Sequence, residues 1–280
     1  MPVSPMLNIG CGSTYHPDWI NLDVAPSNPD VLTVDISKGL PFSSKFATVC
    51  YSSHVLEHLD KAGAKNLIAE CFRVLKPGGV IRLAVPDLEV LARQYLRVLD
   101  EVAAEAGDRT LDYDWIMLEL YDQTVRNYSG GEMARFLANL NEKDRSFVRS
   151  RIGVEAETFW IPKRALSRAH QLNTLVKKIR LGRLLKLSRE KLASWFVYLI
   201  AGKTAFNDFR IGLFRGRGEV QQWMYDRYSL KRLLDNAGFV SVKTCTANES
   251  HIPEYEKYSL DVMNGIVRKP DSIYIEATKP

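Results

Sequence analysis

Apolar and polar positions in the first ninety residues alternate in short blocks separated by turn signals. Met6–Ile9, Trp19–Leu22, Val31–Val34, Phe46–Tyr51 and Val80–Val85 are apolar runs of strand length. Each delivers a glycine or polar group at its carboxyl end: Gly10, Asp23, Asp35, Ser52-Ser53-His54 and Asp87. His54–Leu75 reads as a helix closed by Lys76-Pro77-Gly78-Gly79, a helix stop followed by a turn. This βαβ rhythm predicts a parallel sheet. Near the end, Ser229 caps a helix to Asn236, Gly238 stops it, and Phe239–Thr246 and Ser272–Thr278 alternate as an antiparallel closing pair. The pattern predicts an α/β chain with a mostly parallel seven-stranded sheet.

Helical periodicity takes over between strands five and six. Asp87 caps Leu88–Ala106, a second helix covers Trp115–Asn127, and a third Glu132–Leu140. In the second, Glu119, Asp122 and Arg126 form one stripe, either a solvated face or one turned to a substrate. The division expected is residues 1–87 as ligand-binding core, 88–223 as a helical insertion forming an acceptor lid, and 224–280 completing the sheet.

Charge singles out part of that insertion. Residues 163–217 hold fourteen Lys/Arg against Glu190 and Asp208, a net +12, so the rest of a chain of net +5 carries −7. Within 163–201, Leu172, Leu175, Val176 and Ile179 lie beside Lys177, Lys178, Arg180 and Arg183, and Trp195–Ile200 follows as an aromatic apolar run. A basic amphipathic stretch with aromatic anchors suits an anionic membrane surface; a lid with wetted lysines remains the equal alternative. No nucleic-acid-binding module accompanies the charge, so nucleic acid is not the expected partner. Four cysteines form no paired pattern, and with a strand starting next to Met1 no leader is expected. The expected location is cytoplasmic, peripheral at the inner membrane face if the basic stretch binds lipid.

Open α/β sheets bind ligands along the edge where these polar residues fall. Missing side chains at Gly10 and Gly12 allow unusual φ angles and close approach of a ligand to the backbone. Asp23 sits where a ribose diol would meet an acceptor pair, and Asp35 where an exocyclic adenine amine would. A dinucleotide site would want a third glycine where Tyr15 stands, and Pro17 breaks the following segment. An adenosine-bearing ligand without a diphosphate fits better.

LNIGCG, WINLD, VDISKGLPF, YSSHVLEHL and FRVLKPGGVIRLAVPDL, in this order, resemble the class I S-adenosylmethionine-dependent methyltransferases, closest to the type-11-like branch found in bacterial polysaccharide gene clusters. The resemblance covers residues 6–90 and resumes at 224–280. It implies a Rossmann-like sheet with helices on both faces and S-adenosylmethionine as cofactor. It also implies Gly10, Cys11 and Gly12 under the methionine end, Asp23 at the ribose, Asp35 and Ile36 at the adenine, and Ser52, Ser53 and His54 near the sulfonium. Asn8 departs from the acid common at its position, and Ala47 from a common Asp.

His54-Val-Leu-Glu57-His58 also matches the HxxEH of inverted zinc peptidases. That chemistry needs a helix free of such a sheet, and no metal is expected. The expected reaction is methyl transfer to an oxygen of a sugar or lipid-linked glycan acceptor. His54 is the first candidate base, followed by His58, Asp87 and Asp226; the resemblance implies that Tyr225 and Asp226 lie near the substrate mouth. A methyltransferase for RNA or a small metabolite, and a non-catalytic scaffold keeping the fold, are the alternatives.

Overall fold

The computed structural model describes residues 5–26, 28–105, 107–160 and 181–280. The apolar face expected at Leu172–Ile179, with its flanking lysines, lies outside the described residues.

Five strands come from the amino-terminal third: β1 (Met6–Ile9), β2 (Ile20–Asp23), β3 (Leu32–Thr33), β4 (Ala47–Ser53) and β5 (Leu75–Pro86). Helix α1 (Lys61–Val74) joins β4 to β5. Then come α2 (Leu88–Ala103), α3 (Thr110–Val125), α4 (Gly131–Asn139), α5 (Arg145–Ile152), α6 (Glu155–Trp160) and the long α7 (Leu181–Arg215). Helix α8 (Arg227–Asn236), β6 (Val240–Cys245), the small pair β7 (Val262–Met263) and β8 (Ile266–Val267), and β9 (Ser272–Thr278) close the chain. The main sheet runs β3-β2-β1-β4-β5-β9-β6. Its first five strands are parallel, while β9 is antiparallel to both β5 and β6. This is the Rossmann-like sheet expected, with the helical insertion between β5 and β6.

All four residues of β1 are buried, as a central strand covered on both faces requires. On one face α1 and α8 bring Ile68, Cys71, Leu230 and Leu234 against Leu7, Ile9, Ile81 and Ile275. On the other, Trp19 and Tyr51 pack with Tyr255, Tyr258 and Leu260 from the chain end. Arg82 of β5 is fully buried and donates to Asp261 and Glu276, each at 2.7 Å. Asp261 also accepts from the hydroxyls of Tyr51 (2.6 Å) and Tyr255 (2.8 Å). A buried guanidinium survives only with its donors answered. Here the answers come from β9 and the segment before it, which locks the carboxyl-terminal part onto β4 and β5.

Three local readings are corrected. The helix after β4 starts at Lys61, not His54: His54 has φ 54°, Leu59 is extended, and Asp60 caps α1 by accepting from the Gly63 N–H at 2.6 Å. The two histidines of the HxxEH therefore do not share an α-helix face, since only a single 3-10 turn, Leu56–His58, lies between β4 and α1. The cap of α8 is Asp226 rather than Ser229, which sits three residues on and returns the bond in a reciprocal capping box. The stripe on α3 does not face solvent. Glu119 pairs with Arg151 at 2.7 Å and Asp122 with Arg126 at 2.7 Å, all four buried or nearly so. These pairs fasten α3 to α5 and to the α3–α4 turn around an apolar cluster of Leu91, Val98, Trp115, Ile116 and Val148.

Candidate active site

The carboxyl ends of β1 and β4 open into a cleft of about 300 Å³. Gly10, Cys11, Gly12, Ser13 and Thr14 form one wall, and Tyr51, Ser53 and His54 the base. Val154 and Glu155 from the insertion, with Leu260, Arg268 and Lys269 from the chain end, stand opposite.

The two glycines of the turn do different work. Both have positive φ, 68° at Gly10 and 53° at Gly12. A Cβ on Gly10 would meet Val55 Cγ2 at 2.3 Å, whereas one on Gly12 would meet nothing within 4 Å. Gly10 is small so that the turn can pack on the chain leaving β4; Gly12 leaves space over the backbone. Asp23 braces the turn, accepting from the Gly12 N–H at 2.9 Å and from the Ala25 N–H at 2.8 Å. Each oxygen keeps further acceptor capacity. Burial, with the Asp23 charge nearby, pushes the Cys11 thiol up to about 11, so it stays protonated.

Asn8 explains its own departure from an acid. Its Nδ2 donates to the Thr14 carbonyl and to Asn21 Oδ1, both at 3.0 Å, and Asn21 in turn holds the His16 and Trp19 carbonyls at 2.9 Å. Two acceptors face this buried position, so a donor is required there. The amide pair shapes residues 14–19, which join β1 to β2 without a helix.

His54 is held from both ring edges. Nε2 lies 2.7 Å from Ser272 Oγ, and Nδ1 lies 3.6 Å from Glu57 Oε1. The Ser272 hydroxyl is also 3.4 Å from Asp271 Oδ1, whose carboxyl group burial pushes up to about 7; in the tautomer in which Ser272 accepts from the His54 Nε2–H, the lone pair lies on Nδ1. Burial, reinforced by Lys269 and His58, holds the imidazole well below its usual range, and it is neutral at neutral pH. Burial pushes Glu57 up to about 8. Neither of its carboxyl oxygens has a hydrogen-bond partner among the described residues.

The other expected site residues lie around the cleft rather than in it. Ser52 is buried and donates to the Ile9 carbonyl at 3.1 Å, tying β4 to β1. Asp35 accepts from Ser37 Oγ at 2.6 Å and pairs with Lys38 at 3.0 Å, capping a 3-10 turn whose Ile36 packs on the core. His58 lies behind Glu57, 3.9 Å from its Oε1. The Asp87 carboxyl caps α2 and lines a separate cavity of about 20 Å³ with Glu119, Arg151 and Asp271, room for about one water. Asp226 caps α8, and the Ser229 N–H holds its carboxylate below the usual range. Tyr225 is buried in the sheet core. Sequence reasoning missed Arg268, Lys269 and Glu155, which no motif marks and which reach the cleft from distant segments; Lys269 pairs with Glu155 at 3.2 Å.

Residues 7–83 match the methyltransferase domain family. The match takes in β1 to β5, the parallel part of the sheet, as a methyltransferase domain. Its cofactor is S-adenosylmethionine. Matched structures include an S-adenosylmethionine-dependent methyltransferase from Thermotoga maritima, at 13% identity over all of this chain and 84% of the other, with a TM-score of 0.37. Another, from Archaeoglobus fulgidus, is 14% identical over 99% of this chain and 87% of the other, with a TM-score of 0.36. No curated protein matches this chain. The cleft fits the cofactor of the methyltransferase domain: its volume falls at the lower end of the roughly 300–1,000 Å³ of ligand sites, the backbone at Gly12 is open, and a carboxylate stands at its rim.

Proposed function

We propose that the chain methylates a hydroxyl oxygen of a sugar or lipid-linked glycan in polysaccharide biosynthesis. The observation that carries this reading is the neutral His54 at the base of the cleft, whose Nδ1 holds the lone pair in the tautomer that gives its Nε2–H to Ser272. An alcohol acceptor must lose its proton as it is methylated, and a positioned imidazole with an available lone pair meets that need.

S-adenosylmethionine, when bound, supplies an electrophilic methyl group on a sulfonium. The Gly10–Gly12 turn and Asp23 would hold its nucleoside and methionine parts, and Lys269 and Arg268 across the cleft suit its carboxylate. The protein's remaining task is alignment and proton removal. His54 Nδ1 takes the hydroxyl proton. Ser272 fixes the ring from the Nε2 edge, and the Glu57 carboxyl group stands beside Nδ1.

The test is transfer of labelled methyl from S-adenosylmethionine to glycan-lipid extracts by the purified protein. His54→Asn keeps a residue that tolerates positive φ. It is expected to bind S-adenosylmethionine normally and to lose about 100-fold or more of the transfer rate. Label entering RNA or amines, with none in glycan, would overturn the acceptor assignment.

A further inference from the structure

Helix α7 is two antiparallel arms. Gly202, with φ 78° and ψ −174°, breaks the helix and reverses the chain. The Tyr198 and Phe206 rings meet edge-on across the break, 5.7 Å apart. Farther down, Glu190 on the first arm pairs with Arg217 beyond the second at 2.6 Å. Arg215 anchors this base to the body, donating to the Arg126 and Thr124 carbonyls at 3.2 and 3.0 Å. Glu190 to Gly202 is about 18 Å of helix, so the turn stands well clear of its base.

The tip is apolar and wet. Leu192, Trp195, Phe196, Tyr198 and Leu199 are each about half exposed, and Ile200 at the turn is 84% exposed. Folded chains seldom leave so many large apolar groups together in water without a use for them. Between Lys191 and Asn207 there is no acidic residue. Arg189, Lys191, Lys203 and Arg210 are exposed around the apolar stretch.

We infer that this hairpin dips its tip into the interface of an anionic lipid bilayer. Interfacial elements bury apolar groups some 5–10 Å deep, flanked by cations that meet anionic headgroups. Trp195 and Tyr198 are the residue types that settle at that depth. Lys203 beside the turn can extend its stem back toward the headgroups. No helix among the described residues is long and apolar enough to cross a membrane, and the uncharged run Leu192–Ala201 spans about 15 Å, which suits dipping rather than spanning. A second copy of the chain is the poorer occupant. Two tips packed on each other would bring Lys203 toward its own like charge, and charged groups are depleted from interface cores.

Flotation of the full chain with phosphatidylglycerol-containing vesicles, against pure phosphatidylcholine vesicles, tests this. Binding is expected to the anionic vesicles, to weaken with salt, and to fall by about tenfold or more in Ile200→Glu. Because Ile200 is exposed at the hairpin turn and lines no part of the cleft, the variant should fold and bind S-adenosylmethionine like the parent. That binding is the folding control and keeps failure here separate from failure of the proposed activity. Equal flotation of parent and Ile200→Glu would overturn the inference. So would a dimer in sedimentation that Ile200→Glu splits, with no vesicle binding by the parent.

Discussion

Nδ1 of His54 stands 3.6 Å from Oε1 of Glu57, and both groups are largely out of water. At neutral pH the proton of this pair sits on the carboxyl group, because burial lowers the imidazole pKa and raises that of Glu57 to about 8 from an ordinary 4.5. Between pH 4.5 and 8 the folded state thus binds more protons at Glu57 than the unfolded chain does, and stability falls as pH rises through this window. Glu57→Gln removes the group that must ionise. The variant should melt above the parent at pH 8, by up to about 5 kcal/mol of unfolding free energy, and close to it at pH 4.5. Denaturant unfolding at the two pH values reads this directly; an equal effect at both would show that Glu57 is ionised throughout.

The imidazole has the opposite sign of linkage to activity. Its base form is present at any pH above its lowered pKa, so the acid limb of the transfer rate should fall below the ordinary histidine value of about 6.5. A limb at or above that value would assign proton removal to another group. Ser272→Ala takes away the acceptor at 2.7 Å that fixes the ring. It should lower the rate by about tenfold without changing S-adenosylmethionine affinity.

Periodicity and turn chemistry carried the reading of the sheet because its strands are short apolar runs ended by glycine or acid. The start of α1 was not legible. Leu56, Leu59 and Ala64 continue a helical spacing, and only the positive φ at His54 and the Asp60 cap show that the helix begins later. The α3 stripe misled for a different reason. Charged residues three and four apart ordinarily face water, and Arg151, the partner of Glu119, lies far along the sequence. The cleft was half legible: Gly10, Gly12 and His54 announce themselves, while Arg268 and Lys269 arrive through tertiary folding around Arg82, whose buried pairing with Asp261 and Glu276 nothing local signals.

Asn8 is the next test, since the family resemblance puts an acid where it stands. The Thr14 carbonyl and Asn21 Oδ1 both point acceptors at its Nδ2 from 3.0 Å. In Asn8→Asp a buried carboxylate would face two oxygens, leaving both without a donor. The expected loss is about 3 kcal/mol at neutral pH, read by chemical denaturation. It should shrink in acid, where the introduced carboxyl group is protonated and regains one donor. Asn21→Asp should cost as much by the same logic, because Asn21 donates to two carbonyls.

The two glycines of the cleft should separate folding from binding. In Gly10→Ala the new methyl lands 2.3 Å from Val55 Cγ2 at a φ of 68°, so overpacking adds to left-handed strain for about 3 kcal/mol of lost stability. Val55→Ala on that background should return the packing part and leave the strain. In Gly12→Ala nothing lies within 4 Å of the new methyl, and the fold should lose only the strain, about 1–2 kcal/mol. The methyl would instead occupy the space into which the cofactor must come. Thermal unfolding with calorimetry of S-adenosylmethionine binding distinguishes the two: Gly12→Ala should stay folded and bind about tenfold more weakly or worse. If Gly12→Ala binds like the parent, the cofactor does not pass over this turn, and its place in the cleft must be sought along the Ser53–His54 side.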